Sequence, residues 1–189
     1  MLFRSLRASG LDIAFDCYPY TAGSRHLSGS LPAWVHDGGA EMMLQRLAQP
    51  QTRERLRAQY QQWQSGQQVD SPFELPFERI VVTGVASAAN QALVGLNLVQ
   101  IAQQRGADPL DVFLDLLIEE RGHVNAVLFS MSEEDVKLAL RHPLGCVGSD
   151  GLAFAADGPL ATGAPHPRSY GTFPRLLGRY VREQGLLPL

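Results

Sequence analysis

The feature that most constrains the fold is a short apolar stretch that ends in a glycine-rich turn. The residues L-G-C-V at 144–147 are followed by G-S-D-G at 148–151, so a strand pattern stops with a carboxylate at its carboxyl end. In open α/β sheets and α/β barrels, the loops leaving that end of the strands form the pocket. Asp150 is therefore the first candidate for a reacting group. The alternative is that Ser-Asp-Gly is only a turn, in which Asp150 bonds its own backbone and Gly151 adopts positive φ.

Strands alternate with helices along the rest of the chain, which predicts an α/β fold with parallel strand pairing. Apolar and β-branched runs at 11–18, 79–85 and 126–129 predict strands, and a last helix is expected to open at Phe173-Pro174. About four strands are predicted, whereas a complete eight-stranded α/β barrel needs roughly 250 residues. These patterns leave open a small open sheet or the later part of a barrel.

Residues 31–76 have a different character. Helical patterns run from Ala40 to Leu47 and from Gln51 to Trp63, with polar residues on their outer faces. We interpret 31–76 as a helical insertion, a lid or rim element, and residues 1–30 and 77–189 as a partial (β/α) barrel.

The overall composition excludes several classes of protein. The net charge is −3 without a long block of one sign, so we expect neither a nucleic acid nor a membrane as partner. The N-terminus lacks the apolar region of a signal peptide, which makes the cytoplasm the expected location, with a signal outside these residues left open. Two cysteines, Cys17 and Cys146, do not make a disulfide framework.

The histidines form no strong metal signature, because none of the five belongs to an H-x-H or H-E-x-x-H pair. His166 and Arg168 stand together in H-P-R, soon after Asp150. Such a pair of cations suits a substrate carboxylate, which an arginine can bind through two hydrogen bonds. The alternative is a solvated loop in which Arg168 pairs with an acidic residue.

Three blocks of sequence carry a resemblance to a known family. They are D-C-Y-P-Y-T-A-G-S at 16–24, H-P followed by G-S-D-G at 142–151, and H-P-R-S-Y-G-T-F-P-R-L-L-G-R-Y at 166–180. In this order they resemble the D-aminoacylases, the N-acyl-D-amino-acid deacylase family of the amidohydrolase superfamily. The resemblance implies a (β/α)8 barrel with a small β-sandwich, and zinc-dependent hydrolysis of the amide of N-acyl-D-amino acids, a small-molecule substrate.

The resemblance also implies roles for individual residues. Asp150 matches the aspartate after the last barrel strand, which acts as general base and proton shuttle and is a weak candidate for a metal ligand. Tyr18 and Ser24 match positions beside the substrate, and we extend a substrate-binding role to His166 and Arg168.

The departures from the family pattern matter as much. The family's H-x-H, its bridging cysteine and its later histidine ligands have no counterpart here, and neither Cys17 nor Cys146 matches the bridging residue. We therefore expect a partial chain whose zinc ligands lie mainly upstream, and which is inactive by itself. A cyclic-amide hydrolase of the same superfamily and a non-catalytic α/β interaction domain remain alternatives, and the oligomeric state stays open.

Overall fold

The computed structural model describes residues 2–67, 73, 75–155, 157–161 and 163–188. The chain divides into two compact units. The first unit contains the described residues up to Ala22 and those from Met131 onward, and the second unit is Gly23–Ser130.

Helices and strands alternate, so the mixed α/β class predicted from the sequence is confirmed. The helices of the described part are α1 (Leu2–Ala8), α2 (Ala40–Leu47), α3 (Pro50–Gln64), α4 (Leu98–Arg105), α5 (Pro109–Glu119), α6 (Glu133–Leu140) and α7 (Arg168–Arg175), which continues as a π-helical segment (Leu176–Glu183). The strands there are β1 (Phe15–Cys17), β2 (Gly23–His26), β3 (Ile80–Val85), β4 (Val124–Leu128) and β5 (Gly145–Val147).

The first unit contains a parallel pair of strands, β1 and β5, as the alternating pattern predicted. Phe15 is opposite Gly145 and Cys17 is opposite Val147. The pairing extends beyond the strands, since the Gly148 amide donates to the Cys17 carbonyl over 3.1 Å. Because the strands are parallel and in register, the residues that follow Cys17 and those that follow Val147 leave the pair at the same edge.

The last helix of the first unit begins earlier than the sequence predicted. The expected start at Phe173-Pro174 is wrong, because α7 begins at Arg168 and Pro174 lies inside it. The first turn forms around His166 and Pro167, whose carbonyls accept from the amides of Ser169 (3.1 Å) and Gly171 (2.8 Å). Proline was a misleading signal here: it favours the first helical turn but is also found inside helices, where its missing N–H forfeits one backbone hydrogen bond.

The second unit contains an antiparallel sheet of order β2-β4-β3. The prediction of parallel pairing is therefore wrong for these strands. Periodicity and β-propensity do not separate the two directions, because side chains alternate in the same way in both ladders. The sequence prediction also missed β2, since Gly23–His26 is polar and was interpreted as the end of a loop.

The second unit has a large apolar core. Helices α2 and α3 form as predicted, and Met43, Leu47, Leu56 and Tyr60 pack into this core. Two arginines of α3 also pair with acids of α5: Arg53 with Asp111 and Asp115, and Arg57 with Asp108 and Asp111. The division into a barrel part and an insertion at 31–76 stays a prediction, as does its lid or rim role.

A buried carboxylate lies at the end of α5. Glu120 is 2% exposed and accepts from the backbone amides of Ala86 (2.7 Å) and Ser87 (2.8 Å), the Ser87 hydroxyl and the Asn90 side-chain amide. Burial raises the pKa of Glu120, but the hydrogen bonds outweigh it, and the net effect is a pKa below the usual 4.5. The carboxylate fixes the segment that follows β3.

Helices long and apolar enough to cross a membrane do not occur in the described ranges.

Candidate functional site

Asp150 lies three residues after β5, at the carboxyl end of the parallel pair, and has an unusual backbone conformation. Its φ is +47°, in the left-handed region that residues other than glycine seldom adopt. The turn alternative placed the positive φ at Gly151, whereas the structure places it at Asp150. The Gly151 amide donates to the Ser149 hydroxyl over 3.2 Å. Left-handed residues other than glycine are concentrated at functional sites, which makes this turn a candidate.

Gly151 is required for another reason, which is close packing. A Cβ atom there would lie 2.9 Å from the Cα of Ser169, in the first turn of α7. The Ser169 hydroxyl also accepts from the Leu152 amide over 3.4 Å. The turn that carries Asp150 and the start of α7 are thus in direct contact.

The carboxylate of Asp150 forms an ion pair with Arg168, with 2.9 Å between Oδ2 and Nη2. The Arg168 side chain is 11% exposed and that of Asp150 is 67% exposed, so the guanidinium is enclosed and the carboxylate opens to solvent. The Arg168 Cζ also lies 4.8 Å from the centre of the Tyr18 ring. The structure therefore brings together three of the predicted site residues, and it pairs Arg168 with an acid, as the loop alternative expected.

His166 is buried beside this group. It is 5% exposed, and its ring centre lies 6.0 Å from that of Tyr18 and 5.1 Å from that of Tyr20. Nδ1 accepts from the Arg168 amide over 3.0 Å. Burial and the nearby Arg168 lower the pKa of His166, while a backbone hydrogen bond with Ala22 and the charge of Asp150 oppose the shift. A lowered pKa favours the neutral ring at pH 7, and the predicted substrate-binding role of His166 stays a prediction.

The sequence prediction assigned no role to Tyr20 and Arg175, although both belong to the quoted blocks. Arg175 Nε donates to the Pro19 carbonyl over 2.6 Å, and its Cζ lies 4.8 Å from the Tyr20 ring centre. Burial raises the pKa of Tyr20, and the charge of Arg175 opposes this. A sequence signal for these contacts was present, since two tyrosines follow β1 and two arginines lie in α7. In the structure, Arg168 packs on the Tyr18 ring and Arg175 packs on the Tyr20 ring.

Ser24 is in β2 of the second unit, opposite Val127, and is half-buried. Its predicted substrate-binding role stays a prediction.

A metal does not fit the described residues by themselves. Across residues 2–67, 73, 75–155, 157–161 and 163–188, no group of three or more His, Cys, Asp and Glu side chains is placed to hold a metal ion. Asp150 as a weak metal ligand stays a prediction.

No protein-family model matches this chain. The D-aminoacylase of Alcaligenes xylosoxydans xylosoxydans is 39% identical over 97 residues, which cover 51% of this chain and 18% of that protein. The chain is similar to D-aminoacylases. The resemblance read from the three sequence blocks is thereby confirmed.

Solved structures extend this likeness over nearly the whole chain. An N-acyl-D-glutamate deacylase from Bordetella bronchiseptica, complexed with zinc and a phosphonate mimic of the tetrahedral intermediate, is 26% identical with a TM-score of 0.59 and covers 98% of this chain. A D-aminoacylase with a binuclear metal centre is 30% identical, also with a TM-score of 0.59, and covers 100%. The chain spans only 27% and 28% of these two proteins.

Proposed function

We propose that this chain forms the Asp150 side of the active site of a zinc-dependent deacylase that hydrolyses N-acyl-D-amino acids. The observation that carries the proposal is the Asp150–Arg168 ion pair of 2.9 Å beside Tyr18, at the carboxyl ends of two parallel strands. The likeness to D-aminoacylases supports the reaction, and the carboxyl ends of parallel strands are where α/β barrels have their active sites. We propose that the chain is part of such a barrel.

Asp150 is the proposed general base and proton shuttle. Its carboxylate faces solvent on one side, so it can take a proton from the attacking water and pass it to the leaving amine. Arg168 holds it on the other side and limits its rotation. This arrangement fits a proton carrier, since the carboxylate is oriented but not enclosed.

Arg168 and Tyr18 are the proposed binders of the substrate carboxylate. Arg168 is a planar donor with several N–H groups, so it can retain Asp150 and still donate to a second carboxylate. The ring face of Tyr18 packs against the guanidinium, and the Tyr18 hydroxyl can form a hydrogen bond with the substrate.

Zinc, when bound, polarises the scissile carbonyl and activates water. Because the described residues do not form a metal site, we propose that its ligands lie outside them, and that the 189-residue chain alone does not catalyse the reaction. The cytoplasmic location and the absence of nucleic acid and membrane partners stay predictions.

The test has two parts. The purified chain, supplied with zinc and an N-acetyl-D-amino acid, is expected to release no more amine than buffer with zinc does. Where the gene's reading frame extends beyond these residues, we expect an H-x-H pair upstream, and Asp150→Asn in that protein should lower kcat by about 10²–10⁴. Asp157→Asn, on the exposed loop after Asp150, is the matched control and should leave kcat unchanged.

Three results would contradict the proposal. Turnover by the chain alone would show that it needs no further ligands. A longer reading frame without histidine pairs, or an Asp150→Asn variant with full activity, would favour an interaction domain in which this aspartate only makes a turn.

A further inference from the structure

His166 is a buried titratable group beside the site, and the proposed chemistry does not use it. It is 5% exposed and lies between the Tyr18 and Tyr20 rings, so a ligand has little access to it. Its contacts are instead to the backbone. Nδ1 accepts from the Arg168 amide, and the ring makes a backbone hydrogen bond with Ala22.

These two backbone contacts connect separate parts of the first unit. Ala22 follows β1 and its exit loop, whereas Arg168 is the first residue of α7. Because Nδ1 is the acceptor, the proton of the neutral ring is on Nε2, which is the nitrogen left to donate. The imidazole therefore holds the start of α7 against the loop that carries Tyr18.

We propose that His166 is a positioning residue, which in its Nε2–H tautomer fixes the backbone of Arg168 so that the guanidinium meets both Asp150 and Tyr18. This inference rests on the proposed function in one respect, that Arg168 binds the substrate. It replaces the cation role predicted for His166 with a role as acceptor. A protonated ring has no acceptor at Nδ1, and the lowered pKa keeps the ring neutral at pH 7.

The chain contains an internal control for this arrangement. His142 precedes Pro143 as His166 precedes Pro167, and its Nδ1 accepts from the Leu144 amide over 3.1 Å, in the same turn. Its ring packs 5.2 Å from the Phe15 ring. His142 thus accepts a backbone hydrogen bond through Nδ1, as His166 does, but it does not lie beside an arginine of the site.

The experiment uses the full 189-residue chain, labelled with ¹⁵N, at pH 7. Long-range ¹H–¹⁵N correlations of the ring are expected to show His166 with a bare Nδ1 and a protonated Nε2. In His166→Ala, the Arg168 backbone amide loses its acceptor and should exchange about tenfold faster, and the Arg168 Nε–H signal should shift as the guanidinium moves relative to the Tyr18 ring. In His166→Asn the side-chain oxygen can accept the same amide, so slow exchange should return.

The control separates positioning from general destabilisation. His142→Ala should lower the unfolding midpoint without changing the exchange of the Arg168 backbone amide or the position of its Nε–H signal. An Nδ1–H tautomer at His166, unchanged exchange in His166→Ala, or equal effects of both alanine variants would each overturn the proposal.

Failure of the proposed function gives a different result. Adding an N-acetyl-D-amino acid to the wild-type chain should shift the Arg168 signals if Arg168 binds carboxylates. If these signals do not shift but depend on His166 as described, the positioning role stands and Arg168 is not the binder.

Discussion

The two units of this chain are stabilised in different ways. The second unit has a continuous apolar core in which side chains such as Leu47, Leu98 and Phe113 are fully buried. In the first unit, the described hydrophobic cluster contains three buried residues, Val136, Leu140 and Tyr180. The arginine–tyrosine contacts of the described residues lie in the first unit, which also carries the candidate site.

The difference shows where rigidity comes from in each unit. Apolar burial contributes roughly 25 cal/mol per Å² and is independent of direction, so the large apolar core is the main source of stability in the second unit. Hydrogen bonds depend on direction, so they fix the orientation of a charged group, but each contributes only about 1 kcal/mol to stability. A site that must orient one carboxylate therefore benefits from hydrogen bonds, although they stabilise the unit less than apolar burial does.

The largest expected effect is a cavity in the second unit. Phe113→Ala removes a fully buried ring and should lower the free energy of unfolding by about 3–5 kcal/mol. Both tryptophans, Trp34 and Trp63, are in this unit, so urea unfolding followed by tryptophan fluorescence reports on it. Leu138→Ala, at a side chain that is 70% exposed in the first unit, should change the fluorescence midpoint little. Equal shifts would show that the two units do not differ.

The next effect concerns Glu120. Glu120→Gln replaces the buried carboxylate with an amide, whose NH2 group cannot accept a hydrogen bond. Because buried donors then lose their acceptor, the second unit should be destabilised by about 3 kcal/mol at pH 7. The pKa of Glu120 is lowered in the folded state, so its contribution is present above the usual pKa of 4.5 and is lost as the pH falls through the folded-state value. The difference between wild type and Glu120→Gln should therefore shrink in acid. A difference that does not change with pH would contradict the role of the charge.

A smaller effect is expected in the first unit from Arg175→Lys. Lysine keeps the charge but cannot stack flat on Tyr20 while donating from the Nε position to Pro19. We expect a loss of about 1–2 kcal/mol. Four of the five tyrosines lie in this unit, so near-ultraviolet circular dichroism should detect the loss while tryptophan fluorescence does not. The exposed Arg182→Lys serves as the control and should match wild type.

The smallest effect on stability is expected for Asp150→Asn. The carboxylate is 67% exposed, and such ion pairs contribute less than about 1 kcal/mol. The thermal midpoint should therefore stay close to that of wild type, although we propose that this residue is essential to the reaction. A marked loss of stability would instead support a structural turn.

Local sequence signals predicted much of the fold. The pair Asp108-Pro109 predicts the start of α5, which Asp108 caps, whereas the capping box of Asn97 and Gln100 at the start of α4 was not predicted. The bounds predicted for α2 agree with the structure because its signals come from residues within a turn or two. Parallel pairing was predicted for the strands in general and occurs between β1 and β5, and the turn with Asp150 lies at the carboxyl end of this pair.

Other features required the tertiary structure. The antiparallel direction of β2-β4-β3 could not be predicted, because strand direction depends on how the connections return and not on residue type. The early start of α7 at Arg168 was not predicted, and neither was the burial of His166 against Tyr18 and Tyr20, which lowers the pKa of its ring.

The sequence by itself determined the α/β class, most helix starts, the likeness to D-aminoacylases and the aspartate at the end of β5. Each of these depends on neighbours in the chain or on the order of short motifs. Only the tertiary structure decided that Asp150 pairs with Arg168, that Tyr18 lies under the guanidinium and that His166 turns inward. These contacts join residues far apart in sequence, and burial, which sets the charge of the histidine, is a property of the packed unit.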